Sequence, residues 1–123
     1  MLLRFVPRVL VCLLLLLTGC AADGGGPRWA AGMATVQESR LPAQARETLG
    51  LIDADGPFPY GKDGSVFGNF ERRLPAHKRG YYHEYTVPTP GSRDRGARRI
   101  VTGQGDEIYY TDDHYDSFRA VLR

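Results

Sequence analysis

The sequence predicts an α+β fold, with one N-terminal helix packed on a small antiparallel β-sheet. Three observations carry this. One stretch, LPAQARETLGLIDADG, spaces its apolar residues as a helix does. Four stretches rich in Tyr, Ile, Val and Thr come after it, each bounded by Gly, Pro or Asp. They follow one another through turn-like connections, as the strands of hairpins do.

The first twenty residues stand apart from that fold. MLLRFVPR holds two arginines and no acid, and a nine-residue apolar run, Val9 to Leu17, follows. A bilayer-spanning helix needs about 20 apolar residues, so the run fits a secretory leader instead. Thr18, Gly19, Ala21 and Ala22 suit a cleavage zone, and Leu17-Thr18-Gly19-Cys20 resembles the bacterial lipobox, whose cysteine is lipidated. Ordinary leader cleavage is the alternative. Cys12 leaves with the leader, so at most Cys20 remains and no intramolecular disulfide can form. The expectation is an extracellular protein that meets a membrane only through a lipid on Cys20.

Residues 1–20 are thus a leader with a lipobox, residues 21–40 a flexible tether beginning at Gly-Gly-Gly-Pro, and residues 41–123 the folded unit. Trp29 is expected to be incidental to the tether or loosely docked. A domain of this size buries roughly 60–65% of its unfolded surface, which makes a modest core. The chain has 16 basic and 14 acidic residues, and loss of Arg4 and Arg8 leaves 14 of each. Overall charge therefore does not point to nucleic acid; any such case rests on local clustering.

Within the domain, Pro42 suits the first turn of the helix. Ala45, Leu49 and Ile52 fall at i, i+4 and i+7 with Leu51 alongside, forming one apolar stripe. Asp55-Gly56-Pro57 ends it. FPYGKDGSVFGNF reads as a turn-rich loop with short extended pieces, and the strands as YYHEYTV, ARRIVTG, EIYYT and YDSFRAVL. Alternation puts Tyr82, Glu84 and Thr86 on one face of the first strand. Arg99 and Val101 share a face of the second, opposite Ile100. If the helix covers Ile100, Glu84 and Arg99 become neighbours on the uncovered face.

A cross-strand ion pair on a solvated sheet is the plain account of that pair, worth about 0–1 kcal/mol. The chemical account is a carboxylate beside an anion site. Arg93, Arg95, Arg98 and Arg99 lie within seven residues, and guanidinium forks suit phosphate. His114 adds a side chain whose type titrates near neutrality and can hand over a proton. Metal binding has little support, since His77, His83 and His114 lack ligand spacing and Asp112, Asp113 and Asp116 fall short of a calcium loop. Neither GxGxxG nor GxxxxGK[ST] occurs. No metal and no cofactor are expected.

DGPFPYGKDGSVFGNFE, LPAHKRGYYHEYTVPTPGSRDRGARRIVTG and YYTDDHYDSF closely resemble the secreted bacterial guanyl-specific ribonucleases, the microbial family that includes barnase. The likeness covers about residues 41–120 in one order. It implies the microbial ribonuclease fold and cleavage of single-stranded RNA after guanosine, through a 2′,3′-cyclic phosphate to a 3′-phosphate. By resemblance Glu84 is the general base, His114 the general acid, and Arg95 and Arg99 the phosphate ligands, with Tyr115 lining the phosphate site. VFGNFE matches the family's guanine loop, giving Glu71 as the key acid, Asn69 beside it and Phe67 as the apolar wall. The resemblance also implies a barstar-like acidic inhibitor, and the chain is expected to be a monomer. Gly68 and Phe70 depart from the polar residues often found there, and the disulfide common in relatives cannot form. A rival from another class is a non-catalytic surface lipoprotein that uses the same fold to bind RNA or a protein.

Overall fold

A computed structural model describes residues 26–123. The leader, the lipobox and Cys20 lie outside the described residues. Along the chain come β1 (Thr35–Gln37), α1 (Ala43–Asp53), β2 (Ser65–Phe67), β3 (Tyr82–Thr86), β4 (Arg99–Gly103), β5 (Ile108–Thr111) and β6 (Arg119–Leu122), with 3-10 turns at Arg28–Ala30 and Glu38–Arg40. The strands form one sheet in the order β1-β6-β5-β4-β3-β2.

Helix α1 forms where the apolar stripe predicts it. Ala45 and Leu49 are buried and Ile52 packs beside them against Val87, Ile100, Ile108, Tyr110 and Val121 of the sheet. Burying Leu49 alone contributes about 2–3 kcal/mol. Thr48 interrupts the apolar stripe without an unmet polar atom, because its Oγ1 donates to the Gln44 carbonyl at 3.0 Å and approaches the Thr86 carbonyl at 3.4 Å. The helix stops where Asp55 turns to φ 60°. Gly56 then donates its N–H to Leu51 (2.8 Å) and Asp55 to Ile52 (3.1 Å), satisfying carbonyls the last turn would leave open.

Two expectations need correction. The sheet is mixed: β2 through β6 form an antiparallel meander, but β1 joins β6 in parallel, Val36 opposite Val121. Residues 26–40 are accordingly no tether. They reach the sheet, and Trp29 meets Tyr109 edge-on with ring centroids 5.3 Å apart. A second cluster of Ala30, Leu74, Tyr82, Val101, Tyr109 and Ala120 lies on the face away from α1. Part of the face expected to be solvated is therefore a core of its own, and it is sealed by the segment read as flexible. A strand of three residues is too short to show a period, so tertiary pairing alone defines it.

The C-terminal strand is also clasped. Arg123 donates to Glu38 at 2.8 Å and to Asp53 at 2.6 Å, joining β6, the turn after β1 and the end of α1. These pairs are exposed, so each contributes little by itself.

Trp29 is the chain's only tryptophan. Its fluorescence should shift to the blue on folding, and Trp29→Ala should destabilise the domain by about 2 kcal/mol, less than a fully buried Trp costs. Solvent-like emission together with an unchanged urea midpoint would restore the tether.

Candidate active site

Glu84 sits at the centre of β3, opposite Val101 of β4 and Ser65 of β2. The backbone around it is held on the β2 side. Gly64 donates its N–H to the Glu84 carbonyl at 2.8 Å, and the Thr86 N–H donates to the Asp63 carboxylate at 2.7 Å. The half-buried Glu84 carboxylate stands 3.7 Å from Nη2 of Arg95. Arg95 is itself fixed, since its Nε and Nη2 donate to Thr86 Oγ1 at 3.1 and 2.9 Å. Thr86 is thus the joint between α1, the strand and the arginine.

Arg99 lies opposite Thr86 on β4 and is 2% exposed. Its Nη1 donates to the carbonyls of Arg98 (2.8 Å) and Gly96 (3.0 Å), which hold the guanidinium under the loop before β4. Its Nε is buried without a hydrogen-bond partner. The guanidinium carbon is 5.9 Å from the centre of the Tyr115 ring. Arg99 is therefore near the site but is not the surface ion-pair partner expected for Glu84; Arg95 takes that place. Arg98 belongs to the other side of β4, as alternation requires, and Arg93 is exposed.

His114 and Tyr115 come from the β5–β6 connection, both with positive φ (55° and 72°). Two such non-glycine residues in succession are strained unless their surroundings impose them. Here Thr111 Oγ1 accepts the Tyr115 N–H at 3.1 Å and donates to Asp113 at 2.8 Å. Asp113 also accepts the N–H of Ser117 at 2.9 Å and its hydroxyl. The His114 N–H donates to the Ala97 carbonyl at 2.9 Å, tying this loop to the arginine-bearing segment. Hydrogen bonds from the Ser117 hydroxyl and backbone, ahead of that from Thr111, hold the Asp113 carboxyl down to about 2. Burial, with the Glu84 charge next, pushes the Tyr115 phenol up to about 12.

The loop after β2 closes the site. Asn69 has φ 53°; its side chain accepts the Leu74 N–H at 3.1 Å and donates to the Leu74 carbonyl at 2.9 Å. That amide is committed to shaping the loop, with both of its ends on Leu74. Phe67 packs on Tyr115 with centroids 5.0 Å apart and on Phe118 at 5.9 Å. Glu71 is exposed at the rim, 3.8 Å from Arg73.

Phe67, Asn69, Glu71, Glu84, His114 and Tyr115 line one cleft of about 350 Å³. Arg95 adjoins it through Glu84, and Arg99 through Tyr115. The structure thus gathers all the residues expected at the site from four separate stretches of chain. It adds Thr86, Thr111 and Asp113, which the sequence reading left without a task. The Thr-x-Asp spacing before His114 was the available signal, since such residues cap local turns. Among the described residues, no three His, Cys, Asp or Glu side chains converge as a metal site would require. Chemically, the cleft offers two carboxylates, an imidazole and an apolar wall, with the guanidiniums of Arg95 and Arg99 adjoining it.

A family model described as ribonuclease matches residues 27–122. Guanyl-specific ribonuclease Sa3 of Kitasatospora aureofaciens is 68% identical over 84 residues, which is 68% of this chain and 60% of that protein. Guanyl-specific ribonuclease Sa of the same organism is 58% identical over 88 residues, covering 71% of this chain and 92% of the relative. Among solved structures, ribonuclease Sa2 with guanosine-2′-cyclophosphate superposes with a TM-score of 0.71 at 52% identity, over 74% of this chain and 97% of that one.

The Asp113 network can be tested through acid stability. Its folded carboxyl titrates at about 2 against an ordinary 3.8. A depressed acid stabilises the fold above its unfolded value and loses that contribution as pH falls through the folded one. The urea midpoint of wild type should exceed that of Asp113→Asn by a constant margin above pH ~5, and the margin should close between about pH 4 and 2. A margin indifferent to pH would show that the charge on Asp113 does not hold the loop.

Proposed function

The chain belongs to the ribonuclease family, and on that footing we propose that it is a guanyl-specific endoribonuclease working in the cleft between β3 and the 111–117 loop. The observation that carries the reading is the placement of Glu84 against Arg95 in the same cleft as His114 and Glu71. Family membership of the relatives named guanyl-specific supports the base preference.

RNA brings its own nucleophile. Glu84 takes the proton of the 2′-hydroxyl as that oxygen bonds to the neighbouring phosphorus. The bond from phosphorus to the 5′-oxygen breaks, and His114 protonates the departing oxygen. Arg95 and Arg99 neutralise the charge that grows on the phosphoryl oxygens. The unpartnered Nε of the buried Arg99 supports this role, because a buried guanidinium donor gains most from an anion. The resulting 2′,3′-cyclic phosphate is opened by water with the acid and base exchanging roles, leaving a 3′-phosphate. DNA lacks the attacking hydroxyl. Guanine presents N1–H and N2–H₂ side by side to a carboxylate such as Glu71, while loop N–H groups can donate to O6 and the Phe67 ring walls the base. A single strand leaves that edge free.

RNA incubated with the purified domain in EDTA should be cut to fragments ending in guanosine 3′-phosphate, with a bell-shaped pH profile. Glu84→Gln and His114→Gln should each lower the rate by about 10²–10⁴-fold. Glu71→Ala should depress cutting after guanosine far more than after adenosine. Full activity of either first variant, or uniform cutting after all four bases, would overturn the assignment.

The cleft also suits a protein inhibitor. A barstar-like partner presenting acids to Arg95, Arg99 and His114 would imitate the substrate's phosphates. On titration such a protein should abolish cleavage and bind less tightly as salt rises. Arg95→Ala should weaken binding by about 2–5 kcal/mol. Tight binding that leaves cleavage intact would reject a blocked site.

A further inference from the structure

Phe70 is 84% exposed at the edge of the cleft, where a large apolar ring gains nothing from water. Its position is set by two neighbours. Gly68 passes so close that a Cβ there would lie 2.5 Å from a ring atom, so only glycine permits this arrangement. The guanidinium of Arg79 stands 5.6 Å from the ring centre on a different part of the chain. Between residues 72 and 79 the sequence holds Arg72, Arg73, His77, Lys78 and Arg79 and no acid. Arg73 is engaged by Glu71 and Asp116, whereas Arg72, Lys78 and Arg79 are exposed and have no ion-pair partner among the described residues. In a domain whose charges nearly balance, this is a local basic island joined to an exposed aromatic ring.

An aromatic face with cations beside it is the recurring device for holding single-stranded nucleic acid without reading its sequence. We propose that Phe70 and Arg79, with Arg72 and Lys78, form a second RNA subsite that grips a nucleotide flanking the cleaved guanosine. The ring stacks on the flanking base and the cations meet its phosphates. The subsite rests on the proposed function for its substrate, but it extends the grip beyond the dinucleotide at which bonds change. Phe70 lines the cleft and Arg79 touches Phe70, so the two grips are continuous.

Binding separates this subsite from catalysis. The probes are a single-stranded hexanucleotide whose one guanosine is 2′-deoxy, and therefore uncleavable, and the matching dinucleotide dGpC. Phe70→Ala should weaken the hexamer by about 5- to 100-fold and by more than it weakens dGpC; Phe70→Trp should restore it. Gly68→Ala should act in the same direction as Phe70→Ala by displacing the ring. In the Arg72→Ala, Lys78→Ala, Arg79→Ala triple variant, the salt slope of hexamer binding should fall by about 2. Equal losses for hexamer and dinucleotide in Phe70→Ala would place the ring on guanine itself and overturn the subsite, as would an unchanged salt slope. Tight hexamer binding by a wild type that leaves RNA uncut would support the subsite while defeating the function proposed above.

Discussion

A buried guanidinium is the constraint around which this domain is arranged. Taking Arg99 out of water is costly unless its donors find partners. Two carbonyls of the loop before β4 accept from Nη1, and the Tyr115 ring lies near the charge. Each compensation demands structure elsewhere. The carbonyls require the 95–98 loop to fold over the guanidinium, and the ring requires the left-handed pair His114–Tyr115. Ala97 joins those two demands through the His114 N–H. One charge thereby connects the arginine-bearing 95–98 segment to the loop that carries His114 and Tyr115. Its unpaired Nε is tolerated by a fold with apolar clusters on both sides of the sheet.

Much of the framework could be read from residue order. The helix follows from Ala45, Leu49 and Ile52 at helical spacing, and β3 to β6 follow from aromatic and β-branched runs. The Glu84 and Arg99 faces also follow from alternation, because Thr86 opposes Arg99 and Val101 opposes Glu84. Beyond that, local pattern carries no information about partners. Nothing in GGGPRWAAGMATVQ says that three residues of it will lie along β6. Which arginine would meet Glu84 depended on Thr86, a residue without charge. Asn69 is expected at the site only through the resemblance of VFGNFE to a guanine loop, and no local pattern says that both ends of its amide are spent on Leu74.

The site divides its labour between rigid and irregular backbone. Glu84 and Arg99 lie on adjacent central strands, where ladder bonds on both sides fix them. His114, Tyr115, Asn69 and Glu71 lie on loops, and each loop is fastened by its own side-chain bonds: Asn69 to Leu74 in one, Thr111, Asp113 and Ser117 in the other. Loops built this way can be rewritten residue by residue without disturbing the sheet. Gly68 and Phe70 are coupled within one such loop, since a Cβ at Gly68 would push the exposed Phe70 ring aside.

The parallel pairing of β1 with β6 has a consequence for how the protein comes into being. Glu38 and Arg123, which close the clasp at that edge, are 85 residues apart in the chain. A ribosome releases the first strand long before it has made the one that strand must lie beside. Until the last strand emerges, β5 lacks its outer neighbour, and the connection bearing His114 has nothing to return to. The sheet therefore cannot be completed on a growing polypeptide until β6 is free to pair with β1 and β5, and the loop that carries His114 is anchored at both ends only then.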